Sequence, residues 1–166
     1  MARINYHVTF EPLRDDARAF LSATTGIPFD GVDFTREHEW FCCTVYDPLK
    51  PVIVIVFEFK SPFDAFATVA VSDQRGLSRH LLTSLFKAVF TRATRITALV
   101  SPGNRNALRQ VGRMGFRQEG YQRRAYDGVN DAVVFGLLPE ECPYLLGGPF
   151  RFRTVTVTHE TVQRIQ

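Results

Sequence analysis

Two stretches of this chain combine residue types and spacings that could do chemistry. The first reads Val71-Ser72-Asp73-Gln74-Arg75-Gly76-Leu77-Ser78-Arg79-His80-Leu81-Leu82. An apolar run passes through a glycine-containing loop into a long segment of helical period. A helix starting there exposes backbone N–H groups that lack intrahelical partners, at the end where its dipole favours negative charge. Gln74 to Arg79 can therefore cradle a pyrophosphate, and the alternative is an ordinary helix start. In the second stretch, Asn104 can cap a helix that runs to Met114, where Gly115 stops it, and Gly115-Phe116-Arg117-Gln118-Glu119-Gly120-Tyr121 follows. Arg75, Arg79, Arg105, Arg109 and Arg113 surround the two helix starts and supply the cations an anionic ligand needs. Arg92 and Arg95 read instead as solvated helix surface.

The charge distribution isolates the same region. Residues 1–74 carry 6 Lys/Arg against 11 Asp/Glu, residues 75–126 carry 11 against 1, and residues 127–166 carry 3 against 5. The middle third attracts an anion, and charge alone does not choose among nucleic acid, a membrane surface and a phosphorylated cofactor. Nucleic acid is disfavoured because no basic strand interleaved with aromatics and no reading helix is recognisable. No apolar run approaches the length of a membrane span. Cysteine is confined to Cys42, Cys43 and Cys142, with no C-x-x-C pair and no metal-ligand spacing, which points to a reducing compartment and a cytoplasmic protein without a metal site.

The elements that must position these residues follow from periodicity. Ile4 to Phe10 alternates as a first strand, and Pro12 with the amphipathic stretch Leu13 to Ala23 makes a helix. Thr24 to Glu39, rich in Gly, Pro and Asp, is a long loop or a short broken helix. Trp40 to Tyr46, Val52 to Phe59 and Ala65 to Val71 are β-branched and aromatic runs joined by turns, a three-stranded meander. Leu77, Leu81, Leu82, Leu85, Phe86, Val89 and Phe90 fall on one helical face. Ile96 to Val100 is the next strand. Phe116 to Tyr126 and Asp131 to Leu138 pair around the Asp127-Gly128 turn, and Phe150 to Thr158 has a strand pattern. The expected fold is α/β (α+β), a mixed, mostly antiparallel central sheet flanked by helices, with a ligand crevice at the carboxyl end of Ala65 to Val71. A single domain over residues 1–149, in two portions of 1–64 and 65–138 with the anion bound by the second, and an extension over 150–166, completes the expected organisation.

The two motifs resemble those of the GNAT (Gcn5-related) N-acetyltransferases. Their loop, Q/R-x-x-G-x-G/A followed by a Leu pair, is matched by Gly76, Ser78, Leu81 and Leu82, with Asp73 where Gln or Arg is expected. Their N-x-x-A/S segment with Gly-Phe downstream is matched by Asn104, Ala107, Gly115 and Phe116. The continuation Gly115-Phe116-Arg117-x-Glu119-Gly120-x-x-Arg123, with Asp131 later, is similar to ribosomal-protein N-terminal acetyltransferases. The chain is also distantly similar to small phage-encoded proteins of this type. The resemblance spans residues 65–138 and implies acetyl-CoA as cofactor. Backbone groups of Val69, Ala70 and Val71, the loop Gln74, Arg75, Gly76, Leu77, Ser78 and Arg79, and Asn104, Arg109 and Arg113 would hold it.

It also implies transfer of the acetyl group to a primary amine, of a protein N-terminus, a lysine or a polyamine, by a monomer or homodimer. Many members of the family use a tyrosine seven residues after the motif asparagine as general acid, and Val111 stands there. Tyr121, Ser101 and Tyr126 are the candidates to replace it, and Glu119 matches a glutamate of the resembling enzymes as base or amine anchor. Glu58 and His38 are the other candidate bases. Asp30, Asp33, Glu37 and Glu39 in the long loop would attract a cationic acceptor. Without a general acid, the chain would be a CoA-binding or structural protein of reduced activity.

Overall fold

The computed structural model describes residues 6–146. The elements run β1 (His7–Thr9), α1 (Asp15–Thr25), β2 (Trp40–Asp47), β3 (Lys50–Phe59), β4 (Asp64–Val71), a 310 turn (Gln74–Gly76), α2 (Arg79–Phe90), β5 (Arg95–Val100), α3 (Arg105–Arg113), β6 (Arg117–Gln122), β7 (Ala132–Leu137) and a second 310 turn (Pro139–Glu141). The strands form one seven-stranded sheet in the order β1-β2-β3-β4-β5-β7-β6. β4 and β5 are parallel, and β1–β2, β2–β3, β5–β7 and β6–β7 are antiparallel. This is the mixed, mostly antiparallel sheet with flanking helices that the periodicity dictates. The strand pattern at Phe150 to Thr158 lies outside the described residues.

The chain divides into two compact units, one of residues 6–58 and 69–82, the other of 59–68 and 83–146. In the first, β2 and β3 are buried over consecutive rather than alternating positions, because both faces of the hairpin are covered. Cys42 pairs with Val56 and Thr44 with Val54, and Ala17 and Leu21 of α1 pack in the same cluster as Cys42, Val54 and Val56. Val45 and Ile53 pair next along the hairpin, and both lie against Gly76. α1 starts at Asp15, later than Pro12 suggests. Asp15 and Asp16 lie in its first turn, where acids suit the dipole, and Asp16 Oδ1 accepts from the Ala17 amide at 2.9 Å. The loop after α1 contains no helix and is tied down by Arg18, whose Nη1 donates to the carbonyls of Phe29 and Val32 at 2.9 and 2.8 Å.

In the second unit, Phe86 of α2 meets Phe116 and stacks on Tyr144, with ring centroids 6.4 and 5.4 Å apart. Gly115 turns the chain from α3 into β6 at φ 95°, a left-handed conformation that favours glycine. β6 is shorter than Phe116 to Tyr126 because Arg124 takes a positive φ of 56° and the chain turns away.

All three cysteines are buried and unpaired. Burial pushes the Cys42 thiol up to about 12 and raises those of Cys43 and Cys142. A thiol reagent at pH 8 should therefore modify the native protein about 10²-fold more slowly than free cysteine, and all three thiols should react in guanidinium. Rapid labelling of the native state would contradict this packing.

Candidate functional site

The junction of β4 and α2 lies in the first unit. Val69 is 42% exposed, Ala70 is fully buried, and Val71 leads into Ser72, whose amide and hydroxyl both donate to the Val52 carbonyl. The loop that follows is folded on itself. The Arg75 amide donates to Asp73 Oδ1 at 3.0 Å, the Leu77 amide to the Gln74 carbonyl at 3.0 Å and the Ser78 amide to the Gly76 carbonyl at 3.0 Å. Ser78 is buried, and its hydroxyl oxygen accepts from the Leu81 amide at 3.1 Å, which makes it the side-chain cap of α2. Arg79, the first residue of that helix, tucks its Nη1 into the protein.

Gly76 is buried at an ordinary φ. A Cβ there would lie 2.8 Å from Ile53 Cδ1 and 3.2 Å from Val45 Cγ1, so its small size answers to packing on the β2–β3 hairpin. Arg75 is exposed but committed: its Nε and Nη2 grip the Asp73 carboxylate, the latter at 2.6 Å, and Tyr6 donates to the same carboxylate at 2.8 Å. The Arg75 hydrogen bonds, with the Tyr6 bond added, hold the Asp73 carboxyl well below the usual carboxylate range. Burial and the bond to Asp73 push the Tyr6 hydroxyl up to about 12. Sequence reasoning missed Tyr6, since nothing local marks a partner 67 positions away.

Ser101, Asn104, the α3 arginines, Glu119 and Tyr121 lie in the second unit. Asn104 caps α3, its side-chain oxygen accepting from the Ala107 amide at 3.0 Å. Arg105, Arg109 and Arg113 recur at four-residue spacing on one exposed helical face, and α3 buries no residue. Ser101 lines an open cleft of about 480 Å³ with Pro102, Gly103, Val129, Asn130 and Asp131. The far wall of that cleft is a hydrogen-bonded turn: Asp127 accepts from the Val129 and Asn130 amides at 2.9 and 2.6 Å, and Asp131 accepts from the Arg124 amide at 2.9 Å. Tyr121 pairs with Val133, which pairs with Val100, so it stands at the end of β5 that leads to Ser101.

Glu119 is not brought together with those groups. A register shift between Gln118 and Gly120 displaces it, and its carboxylate lies over Gly136 and takes Arg95 Nη2 at 2.7 Å. Gly136 pairs with Thr97, near the start of β5. Arg95 is therefore no solvated helix residue. It opens β5, also faces Asp64 at 3.6 Å, and donates to the Thr97 hydroxyl, which in turn donates to Asp64. Arg92 lies over the Phe59 ring at 3.6 Å. Of the other candidate bases, Glu58 pairs in register with Trp40, and His38 sits 3.4 Å from Glu39 on the exposed loop. Glu39 also binds Arg36 at 2.9 Å and Asp33 binds the Thr35 hydroxyl, so part of the loop's acidity is answered locally.

Neither a family model nor a curated protein sequence matches the chain. Solved structures do. The ribosomal-protein-S18-alanine N-acetyltransferase from Escherichia coli superposes with a TM-score of 0.60 at 19% identity, over 79% of this chain and 93% of its own. Spermidine N-acetyltransferase from Vibrio cholerae, solved with CoA and spermine, gives 0.59 at 15% identity over 83% and 98%. A Desulfovibrio desulfuricans protein assigned to the GNAT family gives 0.58 at 17% identity over 80% and 98%. The fold is that of the GNAT acetyltransferases.

Within the GNAT fold, the β4–α2 junction and α3 are the two segments whose motifs the sequence already matched. Two departures stand out. Asp73 occupies the motif position of Gln or Arg and spends its charge on Arg75. Val111, where many GNAT members carry a tyrosine, is a half-buried aliphatic, and no residue of α3 has a hydroxyl. Among the described residues, no helix is long and apolar enough to cross a membrane.

Proposed function

We propose that the chain is an acetyl-CoA-dependent N-acetyltransferase acting on a primary amine. The observation that carries this reading is the β4–α2 junction: on a GNAT fold, a strand ends at Val71, a tight turn follows, and a helix capped by Ser78 begins with Arg79. A helix start with a cation on its first residue suits the phosphates of CoA. Backbone groups of Val69 to Val71 and the loop Gln74 to Arg79 would hold the donor. The fit is one of charge and backbone.

In the reaction a neutral amine nitrogen attacks the thioester carbonyl, the C–S bond breaks, the nitrogen loses a proton and the thiolate gains one. Positioning supplies most of the acceleration, and the remaining need is a proton donor. Tyr121 is assigned that role, with Ser101 and Tyr126 as its rivals. The cleft beside Ser101, walled by Asp131, offers an acid to a cationic acceptor. Glu119 is assigned to holding Arg95. A protein N-terminus and a polyamine, substrates of the kinds named for the structural neighbours, are the acceptors to test first.

The test is thermal unfolding with and without acetyl-CoA, followed by mass spectrometry of peptides and spermidine incubated with the protein. At about 100 times its dissociation constant, the donor should add ~2.7 kcal/mol, a rise in Tm of about 5–10 °C. Acetylated product confirms transfer, and no shift at saturating donor rejects it. Val111 favours one second reading, a CoA-binding protein without turnover. Its signature would be the same Tm shift with no acetylated product.

A further inference from the structure

The Gln74–Arg79 loop is already in contact with an anion, and that anion belongs to the chain itself. Asp73 Oδ1 accepts from the Arg75 amide at 3.0 Å and from Arg75 Nε at 2.9 Å. Oδ2 accepts from Arg75 Nη2 at 2.6 Å and from the Tyr6 hydroxyl at 2.8 Å. One carboxylate thus gathers a backbone amide, the forked edge of a guanidinium and a phenol, a donor set that also suits two oxygens of a phosphate. The amide contact is what any short turn beginning with aspartate makes. The Tyr6 contact is different, since Tyr6 is 3% exposed and fixed in the core.

The neighbouring amides follow the same pattern. Those of Gly76, Leu77 and Ser78 are bonded within the turn. A diphosphate arriving here meets a like charge and donors in use, and both must be answered before it binds.

We infer that Asp73 is an internal occupant of the donor-binding loop: its carboxylate holds the place of the cofactor's diphosphate, which binds as the Asp73–Arg75 pair opens. Asp73 thereby sets the affinity for acetyl-CoA. This rests on the reading of the loop as the phosphate site. If Asp73 instead braced Arg75 for the phosphate, removing its charge would weaken binding, so the sign of one measurement separates the two.

That measurement is calorimetric titration of CoA, and of pantetheine, which lacks the diphosphate, into the full chain and into Asp73→Asn, Tyr6→Phe and Asp47→Asn. Asp73→Asn keeps a side-chain oxygen for the Arg75 amide but removes the charge, and CoA should bind about tenfold more tightly while pantetheine is unaffected. Tyr6→Phe loosens the carboxylate and should tighten CoA by about threefold. Asp47 faces Arg75 electrostatically with no hydrogen bond to it, so Asp47→Asn measures the effect of net charge alone. Unchanged or weaker CoA binding by Asp73→Asn overturns the inference, as does a gain no larger than that of Asp47→Asn. Should the parent and all three variants leave CoA unbound, the phosphate-loop reading falls and takes this inference with it.

Discussion

Tyr121→Phe is expected to lower kcat about 10²-fold while leaving the affinity for acetyl-CoA unchanged, as loss of a general acid does. The substitution removes one hydroxyl from a side chain that is 64% exposed on the edge strand β6, so the fold should keep its stability within about 0.5 kcal/mol. A fall in rate would therefore be chemical. The expectation rests on placement: α3 offers no hydroxyl, and Tyr121 sits through Val133 at the same end of β5 as Ser101. Ser101→Ala should then cost less than Tyr121→Phe. Undiminished turnover in Tyr121→Phe would exclude it as the donor, and a larger loss in Ser101→Ala would move the role to the serine.

The second large effect is on stability. Gly115→Ala should cost about 3 kcal/mol, lowering Tm by roughly 6–12 °C in calorimetry. At φ 95° an alanine is strained, and its Cβ would lie 2.6 Å from Pro143 Cδ and 3.1 Å from the Glu141 carbonyl oxygen. Neither neighbour yields easily, because one is a ring and the other is backbone. Gly128→Ala is the control: φ is 85° and nothing lies within 4 Å of a Cβ, so only the backbone strain of ~1 kcal/mol remains. Equal losses in the two variants would mean that the Pro143 contact does not close on Gly115.

The order of elements was legible because each is written in a local period. The apolar face Leu77 to Phe90 marks α2, the β-branched runs mark β2, β3 and β4, and Asn104 with Gly115 brackets α3. The candidate site was legible only where its parts are local, as in the strand–loop–helix junction and the Asn104 cap. Tyr6 meeting Asp73, Glu119 meeting Arg95, and Pro143 closing on Gly115 join residues far apart in sequence, and no spacing rule encodes them. That is why Arg95 read as helix surface and Glu119 as a reactive acid. The start of α1 was misplaced for a smaller reason, since Pro12 suits a first turn but Asp15 and Asp16 supply the acids the helix end prefers.

The missing side chain at Gly136 has an evolutionary corollary. A Cβ there would run into the Glu119 carboxylate and come within 2.9 Å of Arg95 Nη2, so the space above Gly136 is what allows the two charges to meet across the sheet. Positions 95, 119 and 136 are thereby one unit of substitution. A lineage that gains a side chain at 136 displaces the glutamate and leaves the arginine to Asp64 and the Thr97 hydroxyl, and one that loses the arginine leaves the glutamate without its counter-ion. The three positions should drift together among relatives, as a covarying triplet whose members are separated by 24 and 17 places in the chain.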